Sequence, residues 1–292
     1  MEILPIYIIK ELKRLNKNYN GGIESTHWKI ADLDFSTIDL AQVALDENLF
    51  YLVTSASFIE SGSSLYTQNL VEYYRDEPEI EDWLRNQWEV EELQHGQALR
   101  AYVNYVWPEF DWETGYRHFF KEYSDHCKVE LLAPTKGLEM VAHCAVEAST
   151  AALYRALSRC TTEPILKEMA SLIGRDEVSH YKYFYRYFRR FRKEEGLRRH
   201  RIFWTLCHRM LEIKNQDTSC ALRHVVQIKS PSHANDAAYI KNISKKMNEM
   251  VRRHLSADMT IKMVIRPLDL PPMIESMVTY PLTQIMNKFF LR

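Results

Sequence analysis

Residues 91–95 read "EELQH", and the pair Glu92 and His95 within it decides the reading of the fold. Positions three apart on an α-helix lie on one face, so a carboxylate and an imidazole at this spacing can reach one point. A single Glu-x-x-His says little, because both residue types are common on solvated helix faces. A second copy changes its weight. "RDEVSH", residues 175–180, carries Glu177 and His180.

Two such pairs could grip two metal ions but leave coordination positions open. A carboxylate from a facing helix would fill them, provided it sits at the same height in the bundle. In an antiparallel hairpin, residues equidistant from the turn face each other. The midpoint between Glu60 and Glu92 is residue 76, at the start of "DEP" (76–78). The midpoint between Glu147 and Glu177 is residue 162, inside "TTEP" (161–164). Each arm then runs about 15–16 residues, roughly 23 Å at 1.5 Å per residue. Rival acids do worse: Glu47 would put the turn inside a helical run near 69–70, and Glu139 would put it at 158, before the cap residues. The expected metal-ligand set is Glu60, Glu92, His95, Glu147, Glu177 and His180. A Glu from each of two helices plus Glu-x-x-His from each of two others is the pattern of ferritin-like di-iron bundles.

The rest of the chain fits an all-α fold. Among 292 residues there are only 8 glycines, and 46% of residues are hydrophobic against 26% charged, which favours packed helices over a strand-rich sandwich. The expected core is a four-helix bundle over 38–193 with one long crossover. Its helices run from 36–37 to about 75, from 76 to about 106, from about 130 to 160 and from 162 to about 193, with Ser36 or Thr37 and Thr162 as caps. The 107–128 connection holds a short helix. Additional helices over 194–292 are expected at 198–214, 235–256 and from 272, packing on the bundle as part of a single helical domain. Residues 2–16 read as an amphipathic helix whose basic residues follow its apolar run, the wrong order for a secretory signal. No uncharged run reaches transmembrane length. Five scattered cysteines without a CxxC pair read as buried thiols of a reducing compartment, so the expected location is the cytoplasm.

Side chains around the motif carry further expectations. Small residues near Glu60 (Ala56, Ser57, Ser63, Ser64) leave room for a carboxylate and a substrate. His143, one turn before Glu147, is read either as a seventh ligand or as a hydrogen-bonded interior histidine. Glu91 and Asp176 each precede a ligand Glu and are read either as hydrogen-bond partners of the imidazoles or as solvated charge. Trp83, Trp88, Tyr181 and Phe184 are read as core.

At these residues the sequence resembles the soluble acyl-carrier-protein desaturases of the ferritin-like di-iron superfamily. The parallel runs are "FIESGSSLYTQNL" (58–70), "WEVEELQHGQALRAYV" (88–103), "AVEASTAALYRAL" (145–157) and "IGRDEVSHYKYF" (173–184). The resemblance implies two iron ions and oxygen-dependent attack on a C–H bond of a carrier-bound acyl chain; the mixed carboxylate and imidazole donors themselves suit iron, with manganese as a substitute. It also gives Thr150, three residues after Glu147, a catalytic part in oxygen activation. The 60–92 hairpin is shorter than in plant desaturases, and residues 200–292 match no family motif.

No flavin- or nucleotide-binding motif occurs, so electrons are expected from a separate ferredoxin-type protein. The basic run "YRYFRRFRKEEGLRRHR" (185–201) is read as a solvated helix end or as a dock, over 186–201, for an acidic acyl carrier protein. The near-neutral chain, net charge −1, carries no nucleic-acid motif beside that run. The sequence allows a homodimer. Competing readings are a di-iron oxygenase of a small molecule such as an arylamine N-oxygenase, for which a seventh His ligand would speak, non-enzymatic iron storage, and a metal-free helical interaction protein.

Overall fold

The computed structural model describes residues 28–213 and 217–285; the amphipathic helix expected over 2–16 lies outside them. Among the described residues there are helices and no strands. The first arm of the bundle is α1 (Glu47–Ser61) followed by α2 (Ser63–Tyr73). Asp46 caps α1 by accepting from the Leu49 amide at 2.9 Å, a contact of about 1 kcal/mol. The expected caps Ser36 and Thr37 lie instead in a 3-10 turn, Phe35–Thr37. The acidic side chains of Asp39 and Asp46 take over because they can reach the first free amides of the helical segments that follow them.

The second arm begins with Pro at the first turn of α3 (Pro78–Trp83), passes through a π-helical turn at Leu84–Trp88, and continues as α4 (Glu89–Val106). A long crossover carries α5 (Trp112–His126), fifteen residues and thus more than a short helix. The second hairpin consists of α6 (Lys136–Cys160) and α7 (Pro164–Glu194). The expected cap Thr162 is replaced by Glu163, whose carboxylate accepts from Ile165 N and Leu166 N. Both hairpin turns, 74–77 and 161–163, contain the midpoints read from the sequence.

After Gly196, whose φ of +63° suits glycine, come α8 (Arg199–Glu212), α9 (Thr218–Lys229), α10 (Ala237–Arg252), α11 (Ala257–Ile265) and α12 (Pro272–Ile285). The short helices α9 and α11 were not separated in the sequence reading. Helix α9 packs on α1 and α5, α8 and α11 pack on α6, and α10 touches α1 and α6.

The core is divided along the bundle axis. One apolar cluster takes Leu49–Phe58 of α1, Ala98–Val106 of α4, Tyr154–Leu157 of α6 and Ile165–Ile173 of α7. The other takes Leu70–Tyr74, Trp83–Trp88, Leu138–Ala148 and Tyr181–Phe191. On all four arms the residues at or near the boundary between the clusters carry the same chemistry: Glu60, Glu92 with His95, Glu147, and Glu177 with His180. A polar belt thus crosses the middle of a dry bundle, braced on both sides by side chains such as Phe58 and Phe184 that are fully buried and contribute ~1.5–3 kcal/mol each. No described helix is long and apolar enough to cross a membrane. All five cysteines are free; Cys127, Cys144 and Cys220 are buried, whereas Cys160 and Cys207 are only half-buried.

Candidate metal centre

The structure brings the six side chains singled out by the sequence into two overlapping groups. Donor atoms of Glu60, Glu92, His95 and Glu177 lie within 4.8 Å of one another, and so do those of Glu92, Glu147, Glu177 and His180. Glu92 and Glu177 belong to both groups. Every one of the six is buried.

The hydrogen bonds around the groups explain how each side chain is aimed. His95 Nε2 lies 3.0 Å from Asp176 Oδ2, and His180 Nε2 lies 2.7 Å from Glu91 Oε2. Each imidazole is therefore held from outside by the carboxylate that precedes the paired Glu of the opposite motif. Glu91 and Asp176 are buried partners rather than solvated charges. Asp176 Oδ2 also accepts from Trp28 Nε1 at 2.8 Å, and the Trp28 ring stacks beside His95.

With Nε2 engaged outward, Nδ1 of each ring turns inward. His95 Nδ1 is 3.3 Å from Glu177 Oε1, and His180 Nδ1 is 3.1 Å from Glu92 Oε1. These contacts are close without hydrogen-bond alignment: His95 Nδ1, His180 Nδ1 and Glu177 Oε1 are all buried atoms with no hydrogen-bond partner. Buried polar atoms are ordinarily paired. Orphaned donors of the two types that bind transition metals, converging from four helices, fit a pair of metal ions.

Three carboxylates receive a fixed donor from the bundle. Thr150 Oγ1 donates to Glu177 Oε2 at 2.6 Å, Trp88 Nε1 donates to Glu147 Oε1 at 3.2 Å, and the Tyr154 hydroxyl donates to Glu60 Oε1. Thr150, singled out by the family resemblance, thus lies beside Glu177. Trp88, read as core, is both core and donor. Tyr154 and Trp28 were missed, since only the periodicity of α6 placed Tyr154 seven residues after Glu147 on the same face.

Without metal the carboxylates and imidazoles share protons. Burial, with the charges of Glu92 and Glu177 nearby, pushes Glu60 well above the usual carboxylate range. Burial does the same to Glu147, against the opposing pull of His180. Burial also acts on Glu177, but the close approach of His95 and the charges of both imidazoles outweigh it and hold it down at about 2. Burial alone would lower the two histidines, yet the carboxylates around them raise both. Metal ions would displace these protons, so affinity should fall on acidification.

A close approach of backbones makes the groups compact. A Cβ on Gly96, the residue after His95, would meet Ser61 N at 2.7 Å and Ser61 Cα at 2.9 Å. Helix α4 can therefore lie against α1 beside Glu60. The turn preceding Glu92 is the π-helical one, a feature often found at functional sites.

Other expected neighbours are placed elsewhere. Ser57 donates to Thr54 O and accepts from Trp112 Nε1, so its hydroxyl is committed to the seam with α5 and is not a lining of the centre. His143 belongs to neither donor group; its ring stacks on Phe184 and lies near Tyr66. Burial, aided by the Arg209 charge, keeps it well below the usual histidine value. Half of the eight lysines and arginines in the basic run are committed within the chain: Arg186 pairs with Glu79, Arg190 with Glu77, and Arg192 and Arg199 donate to the carbonyls of Pro267 and Leu268.

No family model matches the chain, and no curated protein matches its sequence. Among solved structures, the chain is similar to a variant of an R2-like ligand-binding oxidase with an anaerobically reconstituted Mn/Fe cofactor. The TM-score is 0.51 at 15% identity, covering 85% of this chain and 93% of that one. Another variant of such an oxidase, reconstituted aerobically with Fe/Fe, aligns at 15% identity and a TM-score of 0.49, covering 90% of each chain. The likeness and the all-helical architecture establish an all-α ferritin-like bundle.

Proposed function

We propose that Glu60, Glu92, His95, Glu147, Glu177 and His180 hold two iron ions, or one manganese and one iron, and that the protein is an oxygen-dependent oxidoreductase. The observation that carries this reading is the doubled donor set sharing Glu92 and Glu177, with inward Nδ1 atoms orphaned and outward Nε2 atoms held by Asp176 and Glu91. Four carboxylates against two divalent ions approach neutrality, and mixed carboxylate and imidazole donors suit iron and manganese. The similar solved structure carries Mn/Fe in the same fold.

When bound, the metal pair supplies redox chemistry with dioxygen that no side chain here can perform. The chain's own residues set the stage for it. Glu92 and Glu177, which belong to both donor groups, would help to hold both ions, and Glu60 and Glu147, which belong to one group each, would each help to hold one. Thr150 keeps a proton at Glu177 Oε2, and Tyr154 keeps one at Glu60 Oε1. The two apolar clusters exclude water from both ends of the belt. A ferredoxin-type protein is the proposed electron donor.

For the substrate, the four runs that resemble acyl-carrier-protein desaturases favour an acyl chain on an acidic carrier. An open groove of about 510 Å³ at Lys182, Tyr185, Arg186, Arg189 and Lys193 is where such a carrier would dock. A small-molecule N-oxygenase, which a seventh histidine ligand would favour, loses that support because His143 stands outside both donor groups. The test is turnover of the iron-loaded, reduced protein with acyl-carrier thioesters of graded length under oxygen. Mass spectrometry should show loss of two hydrogens or gain of oxygen. Unchanged thioesters at every length, or accumulation of a mineral core, would overturn the acyl-chain reading.

A further inference from the structure

A second cluster of metal-binding residue types lies away from the bundle centre, between the crossover and the helices that follow the bundle. Helix α5 presents His118 and Glu122, and helix α9 presents Cys220 and His224. Both pairs are four apart, so each lies on one helix face, and the two helices pack together. Donor atoms of Glu122, Cys220 and His224 lie within 4.8 Å of one another. The His118 ring is centred 6.4 Å from that of His224.

The surroundings resemble those of a ligand shell. His224 Nε2 faces Glu122 Oε2 at 2.9 Å, while its Nδ1 lies 3.2 Å from Gln227 Oε1. A ring held at Nδ1 by an amide oxygen keeps Nε2 aimed at the cluster, the usual way an outer partner orients a ligating histidine. Arg223 forks both Glu122 oxygens at 2.9 Å, which fixes the carboxylate and balances its charge. The Cys220 side chain is buried behind them.

We propose that Glu122, Cys220 and His224, completed by His118, form a second, zinc-type metal site that staples the crossover helix to α9. One thiolate, two imidazoles and one carboxylate make a four-donor set of the kind that zinc takes tetrahedrally, with bonds of about 2.0–2.3 Å. Such bonds require the donors to close by roughly an ångström. His118 is exposed, so its ring is free to turn inward, whereas Glu122 is already held against His224. Burial and the adjacent Glu122 carboxylate push the Cys220 thiol up to about 12. The metal must therefore displace the thiol proton, and affinity falls as pH falls.

Cobalt(II) is the probe, added to the chelator-stripped full-length protein. Coordination by Cys220 gives a sulfur-to-cobalt charge-transfer band, which the bundle centre, having no sulfur donor, cannot give; it should correspond to one cobalt per chain beyond those held in the bundle and be bleached by zinc. Cys144→Ser, altering the cysteine nearest the bundle centre, should leave the band intact. Cys220→Ser should abolish it. Gln227→Ala should weaken cobalt binding by ~10–100-fold. His224→Gln, at a half-buried position, should also remove the band, and it decides the matter alone if circular dichroism shows Cys220→Ser unfolded. No band in the wild type, or a band that survives Cys220→Ser and His224→Gln, would overturn the proposal and leave these residues as an ion-pair seam.

Discussion

Gly96→Ala separates the close approach of α4 to α1 from the ordinary effect of the substitution. In an open helix, alanine in place of glycine adds about 1 kcal/mol of stability. At this position the new methyl would stand 2.7 Å from Ser61 N, 2.8 Å from Ser61 Oγ and 2.9 Å from Ser61 Cα. Comfortable separations are about 3.5–4.0 Å, so the two helices must part by roughly an ångström. Two of the contacts are with backbone and cannot be relieved by turning a side chain. Overpacking of this kind costs ~1–3 kcal/mol, so the propensity gain should be cancelled or reversed. Parting the helices also draws Glu60, next to Ser61, away from Glu92 and His95, and each 1.4 kcal/mol of lost metal binding is tenfold in affinity. The assay is a thermal melt of the metal-free protein together with metal content after dialysis against a weak chelator. The expected variant melts no higher than the wild type and loses metal more readily. A raised melting temperature with wild-type metal retention would show that α4 and α1 do not meet in this way.

Asp176→Asn and Glu91→Gln should each weaken metal binding by ~10–100-fold, read by competition with a chelator, while helicity stays unchanged. Thr150→Val should keep both metals and lower kcat with little change in KM, whereas Thr150→Ser, which preserves the hydroxyl beside Glu177, should restore much of the loss. Burial, reinforced by Glu212, raises Asp217 from the ordinary 3.8 to about 6. The folded state therefore holds that proton more tightly than the unfolded state, and the associated stability is full below 3.8 and lost as pH rises through about 6. Asp217→Asn should then stabilise the protein above pH 6, by at most ~3 kcal/mol, and do little near pH 3.8; a benefit of equal size at both pH values would contradict this.

The twofold motif was legible because both hairpins are antiparallel and a proline opens the helix after each turn: residue numbers alone place Glu60 opposite Glu92 and Glu147 opposite Glu177. The residues that aim the centre were harder to read. Trp28 reaches Asp176 across 148 positions, Trp88 reaches Glu147 across 59, and Tyr154 reaches Glu60 across 94. An aromatic residue on a buried face looks like packing whether or not its polar atom finds a partner. The ambiguity at Glu91 and Asp176 was resolved by burial, which no spacing rule supplies. Glu163 displaced Thr162 as cap because a longer acidic side chain one position later reaches two free amides. The helices after residue 200 were only partly separated, since α9 and α11 are short and lean on the bundle rather than on their own periodicity.

The central claim is tested most directly by the metal content of the purified protein, set beside that of the His95→Ala/His180→Ala double variant with its helicity verified. The expected result is two metal ions per chain in the bundle, both iron or one iron and one manganese, and their loss in the double variant, which lacks one inward Nδ1 from each donor group. Two ions retained in the double variant, or a wild-type protein that takes up neither iron nor manganese when both are supplied anaerobically, would contradict the account.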